Sequence, residues 1–96
     1  MAQVKLIEVG GTNCGVCKMM KPMVEKTVSM FNPEQLEFLY ICGDGEDGER
    51  LMEENNIGVV SRVPTFVFKK NGVEVERLDG AISFPALMNK IKNHLS

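Results

Sequence analysis

Gly10-Gly11-Thr12-Asn13-Cys14-Gly15-Val16-Cys17-Lys18-Met19-Met20 joins two stretches of different periodicity, and the junction decides the fold. Before it, Val4-Lys5-Leu6-Ile7-Glu8-Val9 is a short run rich in branched apolar residues, interrupted by one acid and ended by the two glycines. It reads as a buried strand. After it, Val16, Met19, Met20, Met23, Val24, Thr27, Val28 and Phe31 recur at helical spacing until Asn32-Pro33 stops them. Pro22 falls inside that helix and is expected to bend it, because it has no N–H to give to the preceding turn. Cys14 and Cys17 therefore stand where a strand ends and a helix begins.

Further out, Leu36-Glu37-Phe38-Leu39-Tyr40-Ile41-Cys42 is a second strand candidate, ended by the acidic, glycine-rich stretch Gly43 to Gly48. A helix of roughly two turns is expected around Glu49 to Asn55, anchored by Leu51 and Met52. Thr65-Phe66-Val67-Phe68 and Val73-Glu74-Val75-Glu76-Arg77-Leu78 flank Lys70-Asn71-Gly72, and Asn-Gly between strand-like runs signals a hairpin. The last helix begins at Ser83, an N-cap, with Pro85 in its first turn and Phe84, Leu87, Met88, Ile91 and Leu95 as one stripe. The order strand, helix, strand, helix, hairpin, helix predicts an α/β fold. Its mixed four-stranded sheet has the first two strands parallel through a right-handed crossover and helices on both faces.

The 96 residues suit a single domain, 1–96, with a small core. With 44% hydrophobic and 25% charged residues, the composition is that of an ordinary globular protein, and a net charge of −2 offers no footprint for nucleic acid or an anionic membrane. No apolar run is long enough to span a bilayer, and Met1-Ala2-Gln3-Val4-Lys5 lacks the features of a signal peptide. The expected location is the reducing cytoplasm. Three cysteines there are too few for a disulfide framework.

A C-x-x-C pair in that setting is a redox dithiol or half of a zinc site. The strand–turn–helix context favours redox. Unpaired N–H groups and the helix dipole at Cys14 favour the thiolate, the form that attacks a disulfide and also the better leaving group. Cys17, one turn on and beneath the first turn, is placed to resolve the mixed disulfide that Cys14 forms. A zinc or structural module would draw on Cys14, Cys17, Cys42 and His94, but zinc sites usually supply a second closely spaced pair and the chain has none. No metal and no cofactor are expected.

Cys14-Gly15-Val16-Cys17-Lys18 followed by Pro22 resembles the active-site helix of the thioredoxin family, and Val60-Ser61-Arg62-Val63-Pro64-Thr65-Phe66-Val67-Phe68-Lys69-Lys70-Asn71-Gly72 is similar to that family's second signature. Gly80 falls where thioredoxins carry a glycine before the last helix. The resemblance runs from about Val4 to Leu95, without the family's N-terminal strand and helix. It implies a thioredoxin-like three-layer fold, a cis Val63–Pro64 bond beside the dithiol, and a backbone at Val63 that pairs with an extended substrate peptide. Gly15, Val16, Val63 and Pro64 are then the expected substrate-binding residues, and Cys14 and Cys17 the catalytic pair.

Glu8 lies where thioredoxins carry a buried aspartate and protein disulfide isomerases a glutamate. Among Leu6, Ile7 and Val9 its carboxylate is expected to lose solvent, rise in pKa and exchange protons with Cys17; the alternative is a side chain pointing to water. The implied partners are protein disulfides and a reductase, either like thioredoxin reductase or the glutathione system, acting on a monomer in cell redox homeostasis. The chain departs from the family at Gly10 and Asn13, where thioredoxins have aromatic residues, at the Gly15-Val16 dipeptide, and at Tyr40, where many place a lysine. A glutaredoxin-like, glutathione-dependent reductase is the alternative, lowered by that same dipeptide.

Other positions have plainer expectations. Cys42 reads as a small buried hydrophobe and His94 as a surface residue favouring the helix C-terminus. Met19, Met20, Met23 and Met30 read mostly as core filling. Asp44, Glu46, Asp47 and Glu49 match no calcium-loop pattern and read as a solvated turn.

Overall fold

The computed structural model describes residues 2–96. In chain order the elements are β1 (Val4–Gly10), α1 (Gly15–Ser29), β2 (Leu36–Cys42), α2 (Gly48–Glu54), β3 (Thr65–Lys70), β4 (Val73–Asp79) and α3 (Phe84–Leu95). The sheet runs β2-β1-β3-β4, with β1 parallel to β2 and antiparallel to β3, and β4 antiparallel to β3. β1 is thus central, and helices cover both its faces, which is why its apolar run is nearly continuous. β3 and β4 are joined by Asn71 and Gly72, at φ 52° and 79°. Positive φ at both central residues is what a two-residue hairpin of matching twist needs.

Strand alternation divides the core into two faces. On one, Val4, Leu6, Phe66 and Phe68 pack with Met20 and Val24 of α1 and Leu87 and Ile91 of α3. On the other, Ile7, Val9, Ile41 and Val67 pack with Leu51 and Met52 of α2. The expected mixed sheet with helices on both faces is the architecture observed. Leu87 is fully buried. Leu87→Ala should lower stability by about 2–5 kcal/mol through lost burial and a residual cavity. A urea midpoint falling with unchanged slope would show it, and a loss below about 1 kcal/mol would remove α3 from the core.

Three expectations are corrected. Met19 is 82% exposed and Met30 52%, while Met20 is buried. The inward stripe of α1 is Cys17, Met20, Val24 and Thr27, and Met19 lies about 200° around the helix from Cys17. His94 is not a free surface residue. Its Nε2 lies 2.7 Å from Glu76 Oε1, and its ring sits 4.8 Å from that of Phe68. Cys42 is half-buried rather than core, with its Sγ 3.6 Å from Asp44 Oδ1. α1 continues through Pro22. At the far end of the sheet, buried Lys69 donates from Nζ to the carbonyls of Asn55 and Asn56, tying β3 to the C-terminal end of α2.

Candidate functional site

Cys14 is the N-cap of α1. Its backbone is extended (φ −98°, ψ 95°) and its Sγ accepts the N–H of Cys17 at 3.1 Å. One of the helix's first unpaired amides is therefore aimed at the sulfur, and in the dithiol form the same amide and the helix dipole favour a thiolate there. Cys14 and Cys17 are joined by a disulfide, with their Cα atoms 5.2 Å apart.

The two sulfurs belong to different surroundings. Cys14 lines a groove of about 370 Å³ whose walls are mostly apolar, formed by Val9, Met52, Val60 and Val63, with one carboxylate, Asp44. Cys17 lines a separate cavity of about 230 Å³ with Glu8, Lys18, Lys21 and Tyr40. Both residues are below one-tenth exposed, so reagents reach them through these openings rather than from an open surface.

β1 carries Glu8 into the second cavity. The residue is 2% exposed, and its Oε2 has no hydrogen-bond partner among the described residues. Burial pushes its pKa up from 4.5 to about 7. The side chain does not point to water.

Asp44 carries a role that its place in an acidic, glycine-rich stretch hides. Its Oδ1 accepts the Thr12 N–H and its Oδ2 the Thr12 hydroxyl, both at 2.8 Å. These bonds hold its carboxyl below the usual range and fix the loop that leads into Cys14. The only sequence signal is an acid just beyond the end of a strand neighbouring β1.

The Val63–Pro64 bond is cis. Val63 lines the groove with Cys14, whereas Pro64 is buried beneath it and its carbonyl accepts the Gly80 N–H at 2.7 Å. Gly15 and Val16 are exposed on the first turn of α1 and do not line the groove. Among the described residues no cluster of three or more His, Cys, Asp or Glu is placed to hold a metal ion. No helix among them is long and apolar enough to cross a membrane.

A helix-capping disulfide at the end of a central strand, beside an apolar groove, defines a thiol–disulfide oxidoreductase. The family model for thioredoxin matches residues 1–93. Thioredoxin-1 of Saccharomyces cerevisiae is 36% identical over 83 residues, 84% of this chain and 74% of that protein. Malassezia sympodialis thioredoxin is 32% identical over 79 residues, 82% of this chain and 70% of that protein. The structure of oxidised mitochondrial thioredoxin 3 from Saccharomyces cerevisiae superposes with a TM-score of 0.74 at 28% identity, covering 97% of this chain and 80% of that one. The chain belongs to the thioredoxin family.

Proposed function

We propose that the protein reduces disulfides of other proteins with Cys14 as nucleophile, Cys17 as resolving thiol and Glu8 as the proton acceptor for Cys17. The observation that carries this is the separation of the two sulfurs, with Cys14 on the apolar groove and Cys17 in the Glu8 cavity. In the dithiol form, Cys14 thiolate attacks one sulfur of the substrate, breaking its S–S bond and releasing one substrate thiolate. Cys17 then passes its proton to the Glu8 carboxylate and attacks Cys14 Sγ. The mixed disulfide breaks, the second substrate thiolate leaves, and the Cys14–Cys17 disulfide forms. Two electrons have moved to the substrate, and a reductase or glutathione in a reducing compartment such as the cytoplasm restores the dithiol.

The groove suits an extended, apolar peptide segment next to the attacked disulfide. Val63, 41% exposed, lines it, and Val16, 46% exposed on α1, adds apolar area beyond the groove. Cys17→Ser should stop the reaction at the mixed disulfide. Incubated with a protein disulfide, the reduced variant is expected to form a stoichiometric covalent adduct through Cys14, visible by mass spectrometry and released by a small thiol. An adduct that maps to Cys42, or none at all, would end the proposal.

A further inference from the structure

Glu8 and Tyr40 are paired in register on β1 and β2, so their side chains rise side by side on the face that α1 covers. The next residue of β1 on that face is Gly10. A Cβ there would lie 2.8 Å from Tyr40 Cζ and 3.0 Å from Cε1, and would overlap the hydroxyl oxygen. The phenol ring therefore lies along β1, from beside Glu8 to above the Gly10 backbone, in space that any side chain at position 10 would take. Cavities of about 230 Å³ and about 120 Å³ adjoin Glu8, and Tyr40 and Lys21 line both with it.

We propose that Tyr40 is a positioning residue, a lid seated on Gly10 that closes the Glu8–Cys17 compartment to bulk water. The groups facing Glu8 are Cys17, Lys18, Lys21 and Glu25 from α1, Thr12 from the loop and Tyr40 from β2, while its β3 neighbour is the apolar Phe66. Lys21 is exposed on a flexible stem, whereas the Tyr40 ring, 44% exposed, is the stiffer wall, rigid beyond its two side-chain torsions. Burial, then the nearby Glu8, Cys42 and Asp44, raise the phenol's pKa, so it stays neutral at physiological pH and adds no charge to the compartment. By excluding water the ring sustains the desolvation that displaces the Glu8 carboxyl. The consequence for catalysis rests on Glu8 accepting the proton of Cys17; the lid itself does not.

The test is a carbon-13 NMR titration of the Glu8 carboxyl in the oxidised protein, with the signal assigned by Glu8→Gln. Tyr40→Ala should move the midpoint down by about one pH unit or more, towards the solvated value, and Tyr40→Phe, which keeps the ring, should leave it at the parent value. Gly10→Ala, which displaces the ring, should reproduce the Tyr40→Ala shift, and the double variant should show no additional one. Thermal unfolding checks each fold, with Tyr40→Leu, expected to shift in the same direction, replacing Tyr40→Ala if the latter does not fold. A midpoint unchanged when the ring is removed or displaced overturns the lid. Single-turnover resolution rates against pH separate the two ideas. A Glu8→Gln profile like that of the parent overturns the proton role of Glu8, and the NMR midpoints still decide the lid.

Discussion

Cys14→Ser should reduce disulfide exchange to background, a loss of roughly a thousandfold or more, because serine supplies no ionised nucleophile near neutral pH. The same assignment sets an order of labelling in the reduced parent. Cys14 faces the groove and caps α1, Cys17 lies in the Glu8 cavity, and Cys42 has its thiol pKa raised by burial and by Asp44. A limiting amount of alkylating agent at pH 7 should therefore label Cys14 well ahead of the other two. Peptide mapping of the product reads this out. Equal labelling of the three, or Cys42 first, would remove Cys14 as nucleophile.

Glu8→Gln should make the oxidised protein more stable above neutral pH while slowing its chemistry. The folded carboxyl titrates at about 7 against 4.5 when solvated. A raised folded pKa disfavours the ionised form, so the penalty is absent below pH 4.5, grows between 4.5 and 7, and is complete above 7. At about 1.4 kcal/mol for each tenfold change in proton affinity, that displacement corresponds to roughly 3 kcal/mol. The stability of the Gln variant relative to the parent should rise by that amount between about pH 4 and pH 8, a difference that cancels any fixed cost of burying the amide. Urea denaturation at the two pH values measures it. Resolution of the mixed disulfide should slow about a hundredfold or more, since a positioned base usually contributes about a hundredfold to ten-thousandfold. Parallel stability profiles in parent and variant would show that Glu8 is solvated and plays no such part.

The strands and the hairpin were legible because local pattern determines them. β1 is covered on both faces and paired on both sides, so its residues are apolar almost without interruption, and Asn71-Gly72 supplies the positive φ values that the turn demands. Cys14 and Cys17 were legible for the same reason, since a helix start and a one-turn spacing are properties of adjacent residues. The inward face of α1 was harder. Met19 and Met20 are adjacent and chemically alike, and only packing shows that one is buried and the other exposed. His94 was misread because its partner Glu76 stands on β4, eighteen residues back in the chain. Asp44 with Thr12, and Tyr40 with Gly10, depend on how β2 lies against β1. Each side chain looks ordinary until the parallel register places it, so a turn acid and a strand tyrosine become parts of the site only in three dimensions.

Among the described residues, the Cys14 groove and the Cys17–Glu8 cavity share only Gly11 in their linings, and the side chains that touch across the divide are Asp44 with Thr12 and Tyr40 over Gly10. For protein engineering, with those two contacts left intact, the two halves of the disulfide become separately adjustable. Substitutions at Met52, Val60 or Val63 reshape the surface offered to partners, while substitutions at Lys18 or Lys21 retune proton handling, and combinations of the two sets are expected to be close to additive. A library that varies one wall at a time would search recognition and redox tuning as two short problems instead of one long one.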